Sequence, residues 1–319
     1  FFFFVFFFFF FNSFFFSLSY PRPLRPDFEE KFGLDKSIIS RIINAMLKFV
    51  YRRTKHLLNF NKPRLLRTMG HMTTAIGEQL DLESPNDCRC FGFIDGTFRF
   101  TARPRRNQSC MYSGHYRGHG FRYQAIACPT GIIEHLWGPV EGCHHDCYLL
   151  WMSDVLDDLS SFAFDDEGIP YYIYGDPAYP LHPHLLAPYK NPRRTVEEEE
   201  FNRSMSRVRV MIEWKFGTIT QLWRGMDLVP TQQVLRTPVG TQYIVAVILT
   251  NMYSCLRQKT KCSIFFRNIP VPTLDEYFDH PDTPVDMDRV LYSEEEDVGV
   301  EFGVSDDEEE CNNNSELNQ

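Results

Sequence analysis

The sequence predicts a mixed α/β domain, and three observations carry that expectation. Apolar, aromatic-rich runs over residues 91–101, 121–128 and 132–138 have the composition of strands and stand in series. Helical periodicity follows over about 147–159, from Thr195 through Ile219, and over about 239–256. The chain has 319 residues and is 43% apolar, enough for one large domain, or a large one with a small one, around a sizeable core.

Residues 1–32 form a low-complexity leader and linker. Positions 1–11 are ten Phe and one Val, too short a run to span a bilayer and without the basic flank of a secretory signal. It is expected to be the in-frame translation of a polypyrimidine tract, and no membrane association is expected. Residues 33–88 read as helical. Ser37 is placed to cap a helix whose apolar residues Ile39, Ile42, Ile43, Met46, Phe49 and Val50 recur with helical period. Two readings of this segment stay open. It is either the second half of a helix-turn-helix or an ordinary amphipathic helix packed on the main domain.

The main domain is expected over 89–257. After the strand at 91–101, the strands at 121–128 and 132–138 are joined by Cys128-Pro129-Thr130-Gly131, which suits a tight type I turn. A helix follows from about Cys147 to Leu159, with Asp146 placed to cap it and Leu149, Met152, Leu156 and Leu159 as its buried face. Residues 170–175 read as a short aromatic strand ending at Asp176. Thr195-Val196-Glu197-Glu198 is a capping box that opens a long helix through Phe201, Met205, Val208, Ile212 and Ile219. A last apolar helix, about 239–256, closes the core. Residues 258–319 are a C-terminal extension, polar, acidic and expected to be disordered from Asp275.

Charge is unevenly distributed. The chain holds 33 bases and 42 acids, a net charge of -9. From Asp275 onward there are 17 acids and one base, Arg289, which leaves 32 bases and 25 acids, or +7, for residues 1–274. A basic body suits a polyanionic substrate, and the acidic tail is expected to compete with phosphate for it. The nine cysteines are odd in number and irregular in spacing, which argues against a secreted disulfide framework and for a reducing compartment.

Three acids stand where acids are costly. Asp95 lies inside the apolar run 91–100, Asp176 ends a run of aromatics and Ile, and Glu213 lies at the edge of the long helix's apolar stripe. A carboxylate in such a place needs a partner, and a divalent cation is the strongest available. The ordinary alternatives are a turn Asp before Gly96, a Gly-Asp-Pro turn at Asp176, and an ion pair of Glu213 with Arg209 one turn back.

Five blocks in order then resemble one family. They are Phe93-Ile94-Asp95-Gly96-Thr97, Tyr112-Ser113-Gly114-His115-Tyr116-Arg117, Gly138-Pro139-Val140-Glu141-Gly142 with His145-Asp146, Gly175-Asp176-Pro177-Ala178-Tyr179-Pro180, and Phe201-Asn202 through Glu213-Trp214-Lys215-Phe216-Gly217. Together they resemble the PIF/Harbinger-type transposases, of the DDE superfamily of endonucleases, over about 33–256. The resemblance implies an RNase H-like mixed sheet with flanking helices, preceded by a helix-turn-helix that would be partial here. It implies Asp95, Asp176 and Glu213 as catalytic residues and ligands of Mg²⁺ or Mn²⁺, with Asp146 either an accessory acid or a helix cap. It further implies DNA as substrate, a nuclear location and a Myb/SANT-like accessory protein; the oligomeric state stays open.

Cys143-His144-His145-Asp146-Cys147 has the residue types of a zinc site but not the spacing of paired structural ligands. Arg103, Arg105, Arg106, His115, Arg117 and Arg122, interleaved with Tyr112 and His119, are candidates for DNA contact. Two functions are therefore in play: a metal-dependent DNA endonuclease, and a domesticated or degenerate relative that binds DNA or chromatin without cutting it.

Overall fold

The computed structural model describes residues 33–284, and its centre is a six-stranded mixed sheet. β1 (Cys90–Phe100) pairs antiparallel with β3 (Gly118–Ala127). β3 pairs antiparallel with β4 (Ile133–Glu141) and with the two-residue β2 (Tyr112–Ser113). On its other side β1 runs parallel to β5 (Tyr172–Tyr174), and β5 runs parallel to β6 (Leu185–Leu186). Three antiparallel strands followed by two parallel ones, with helices on both faces, are consistent with an RNase H-like fold. The Cys128–Gly131 turn closes as expected, Gly131 N–H donating to Cys128 O at 2.8 Å. Gly131 has φ +80°, and a Cβ there would meet Thr260.

The helices are α1 (Lys36–Thr54), α2 (Lys62–Gln79), α3 (Gln108–Met111), α4 (Asp146–Met152), α5 (Val155–Phe162), α6 (Val196–Leu222), α7 (Val239–Arg257), α8 (Lys261–Phe265) and α9 (Leu274–Phe278). α6 begins with the expected capping box, Thr195 and Glu198 satisfying each other's backbone N–H. α7 is apolar on nearly all sides because it is buried on nearly all sides. By length and composition it could cross a membrane, but most of it lies inside the fold. Its Asn251 accepts from Ile133 N–H at 3.1 Å and donates to Ile133 O at 2.9 Å. That side chain satisfies the first residue of β4 where no strand does.

Four local expectations are corrected. Asp35, not Ser37, caps α1, its Oδ1 accepting from Ser37 N–H at 2.8 Å. α1 packs along α7, and Leu47 and Leu65 share one core with the sheet; residues 33–88 thus pack on the main domain as an amphipathic helix would. The single helix expected over 147–159 is two, because Asp154 is left-handed (φ 49°). Ser153 is held there between Gln124 Nε2 and Leu150 O, and the break leaves Met152 exposed rather than buried. Asp275 does not begin disorder. Thr273 and Glu276 form a capping box for α9, whose Tyr277 is buried with its hydroxyl 3.2 Å from Asn251 Nδ2. The remainder of the acidic tail lies outside the described residues, as does the Phe-rich leader.

One buried cation lacks an opposite charge in its surroundings. Lys215 of α6 is 3% exposed and donates to Ser254 Oγ at 3.2 Å, with the Cys262 and Cys255 thiols nearby. Burial brings its pKa down to about 8. With the folded value depressed below the unfolded 10.5, the cost of burying the charge is full below pH 8 and is relieved as pH rises from 8 to 10.5. Lys215→Met is therefore expected to raise stability by about 1–3 kcal/mol at pH 7. Urea unfolding of both proteins at pH 7 and pH 10 checks it; a gain that does not shrink at pH 10 would exclude a buried charge as its source.

Candidate active site

Alternation along β1 puts Asp95, Thr97 and Arg99 on the face covered by α6 and α7, where Arg99 stacks over Tyr243 of α7 at 5.0 Å. Ile94 and Gly96 face α4. β5 pairs with β1 only as far as Phe93↔Tyr174. Asp95 thus lies just past the end of the parallel pairing, in the notch where the chain leaves the sheet through Gly175 and Asp176. A notch of this kind, outside the carboxyl end of a parallel strand, is where α/β sheets commonly bind ligands.

Each neighbour of the notch is held closely. Asp95 Oδ1 accepts from Gly96 N–H at 3.0 Å, and Asp176 Oδ1 accepts from Ala178 N–H at 3.0 Å in a tight turn. Gly175 has no room for a side chain, since a Cβ would stand 2.5 Å from the Tyr179 ring. Gly96 has none either, since a Cβ would stand 2.3 Å from Asp146 Oδ1. Asp146 is the first residue of α4 but not its cap. His145 takes the cap position, and Asp146 instead turns to the sheet and accepts from Arg122 Nη1 at 3.0 Å.

The three aspartates act on one another. Burial pushes Asp95 up to about 6, Arg209 opposes that shift, and the charges of Asp176 and Asp146 add to it. Asp146 is raised as well, first by burial and then by Asp176, with Arg122 opposing. Glu213 is more remote, with its side chain 57% exposed. The Arg209 guanidinium links it to the cluster, with Nη1 3.0 Å from Asp95 Oδ2 and Nη2 3.7 Å from Glu213 Oε1. The contact to Asp95 is an ion pair without hydrogen-bond alignment, and Arg209 Nη1 is buried with no hydrogen-bond partner.

Asp95, Asp146 and Asp176 thus come together, and Glu213 joins them through Arg209. The donors are all oxygen, which suits a hard divalent ion. Among the described residues, no three His, Cys, Asp or Glu side chains are arranged to hold a metal as they stand, and the place between Asp95 and Glu213 is taken by Arg209. The Cys143–Cys147 segment does not close on itself. Cys143 N–H donates to Cys110 O, Cys147 Sγ lies 2.9 Å from Ala178 O, and His144 stacks on Tyr148 at 3.9 Å.

Arg103, Arg105, Arg106, His115 and Arg117 are exposed on the connection from β1 to β3, with Arg103 donating to Gln108 Oε1 at 2.8 Å. Arg122 differs from them. It is buried, neutralises Asp146 and lies over the Tyr116 ring at 5.4 Å. Tyr116 in turn stacks on Phe98 at 4.6 Å, which brings this arm against the end of β1. Spacing along α6 pairs Arg209 with Glu213, but nothing in the sequence gives its contact with Asp95. Tyr179, buried beneath the cluster with its hydroxyl toward Gln124, also carried no signal beyond its place after Asp176.

The raised pKa of Asp95 has a measurable consequence. Its folded value of about 6 exceeds the unfolded 3.8, so the destabilisation is full above pH 6 and is lost as pH falls toward 3.8. Asp95→Asn is expected to raise stability at pH 8 by up to about 2–3 kcal/mol, and by much less at pH 4.5. Melting temperatures at the two pH values test this; an Asn variant no more stable than wild type at pH 8 would show that Arg209 fully compensates the carboxylate.

Residues 94–251 match the sequence model of a family described as DDE superfamily endonuclease, and the match supports that superfamily for this chain. Endonucleases of this superfamily generally use divalent metal ions. No curated protein and no solved structure matches the chain.

Proposed function

We propose that this chain is a divalent-metal-dependent DNA endonuclease of the transposase type, and of the PIF/Harbinger kind that its sequence blocks resemble. The observation that carries the reading is the convergence of Asp95, Asp176 and Asp146 at the end of β5, with Glu213 one guanidinium away. Carboxylates crowded into a half-buried notch repel one another, and such crowding is stable in service of a cation. Asp95, Asp176 and Glu213 would hold Mg²⁺ or Mn²⁺, with Asp146 as an accessory acid. A bound ion would supply an activated water and stabilise the leaving oxygen of the phosphodiester. Arg122 keeps Asp146 in place, and the exposed bases of the 103–117 arm position phosphates. Arg209 has to turn away from Asp95 for an ion to enter, and its guanidinium then becomes available to an anionic substrate. The setting of this activity would be the nucleus, with a Myb/SANT-like accessory protein as partner.

A second reading is favoured by Arg209 itself. A guanidinium already paired with Asp95 and Glu213 neutralises the site without metal, as suits a domesticated relative that binds DNA or chromatin without cutting.

Nicking of supercoiled plasmid with Mg²⁺, Mn²⁺ or EDTA separates the two. Metal-dependent nicking by wild type is expected. It should be abolished in Glu213→Gln, which keeps the shape but removes a charge able to hold metal, at the cost of several kcal/mol of transition-state stabilisation. DNA binding should survive. Arg209→Gln is the control for a merely structural ion pair. If Glu213 serves only Arg209, both variants keep wild-type nicking and lose at most about 0.5 kcal/mol of stability. No nicking by wild type with either metal would leave the non-catalytic reading.

A further inference from the structure

Between positions 36 and 77 the chain has no acidic residue, while bases recur throughout. α1 turns Ile39 and Leu47 into the core, with Ile43, Met46, Val50 and Tyr51 packed beside them. Its opposite side carries Arg41, Ala45, Lys48 and Arg52, followed in the next turn by Lys55. Spacings of four, three, four and three keep these positions in line along the helix. Arg41, Lys48 and Lys55 are exposed and Arg52 half-buried. A row of cations with no acid among them is a surface for a polyanion. It is built on an element that contributes nothing to the aspartate cluster.

The described chain ends beside this row. Asn61 Nδ2 donates to Asp279 O at 2.6 Å, His280 Nε2 lies 3.1 Å from Asn59 O, and Thr283 Oγ1 lies 3.3 Å from His56 Nε2. The chain therefore passes Pro284 next to the residue that follows Lys55. Beyond it, residues 285–319 include the blocks Glu294–Asp297 and Asp306–Glu310, with Arg289 the one base. The acids before the exit already follow the bases of α2, since Arg64 and Arg67 help hold the Glu276 carboxyl below its ordinary range, after its hydrogen bonds at Thr273.

We propose that residues 285–319 dock on the Arg41–Lys48–Arg52–Lys55 row and occupy, with carboxylates, a surface that nucleic-acid phosphates would otherwise take. Reach permits it. Lys55 to Arg41 spans about 21 Å at 1.5 Å per residue, and Glu294 follows Pro284 by ten residues, or up to about 33 Å of extended chain. The block can lie over any of the four cations. The proposal does not depend on the chain's cutting DNA, because it concerns anion binding on α1 alone.

The test uses the full chain without metal and heparin as the polyanion. One variant replaces Glu294, Glu295 and Glu296 with Gln and Asp297 with Asn; another replaces Arg41, Lys48 and Arg52 with Gln; a third combines both. At about 50 mM salt the acid-neutralised variant should bind heparin at least about threefold more tightly than wild type, the gain fading at high salt. In the row-neutralised background the same change should matter less than about twofold. Carbodiimide cross-linking of wild-type monomer, read by mass spectrometry, should join Lys48 or Lys55 to Glu294–Asp297. An acid effect undiminished by loss of the row would overturn the proposal. So would cross-links from that block only to lysines elsewhere or to another molecule.

Discussion

Asp95 is a carboxylate on the central strand of the sheet, and its charge has to be balanced inside the fold. Strand alternation and the register with β3 fix its backbone, so the balance is made by what surrounds it. Arg209 lies against it from α6, Asp176 approaches from the end of β5, and Asp146 packs against the neighbouring Gly96. Small residues at positions 96 and 175 make those approaches possible, because any side chain there would collide with Asp146 or Tyr179. The geometry of the notch is thus dictated by two glycines and paid for by two arginines.

Much of this was legible in the sequence where the cause is local. The Thr195–Glu198 capping box needs only residues three apart. The turn at 128–131 needs only Pro and Gly in place, and α7 needs only a long apolar run. Asp95 stood out because an acid interrupts an apolar strand. The features that escaped depend on distant partners. Asp146 looks like a helix cap until Arg122, on β3, draws it to the sheet. The break after Met152 depends on Gln124 reaching Ser153 across the same strand. Arg209 pairs with Glu213 by spacing, but its contact with Asp95 exists only once α6 lies on β1. α9 was hidden by its acidic composition, although its own capping box at Thr273 was a local signal that outweighed it.

The cluster also explains why the molecule separates its charges. Arg209 and Arg122 are committed to aspartates and offer little to phosphate. Cations available to a nucleic acid lie on the 103–117 arm and on α1. These two surfaces can contribute affinity without disturbing the balance at Asp95, as expected where phosphate contacts position a substrate and the chemistry is done elsewhere.

That Arg209 holds the place of a cation is the central claim, and Mn²⁺ binding by calorimetry tests it most directly. Arg209→Gln is expected to bind Mn²⁺ more tightly than wild type, since the ion no longer competes with a guanidinium for Asp95 and Glu213. Asp95→Asn is expected to lose the binding. Unchanged or weaker binding by the Arg209 variant, or full binding by the Asp95 variant, would contradict the claim and leave the notch as a structural ion-pair network.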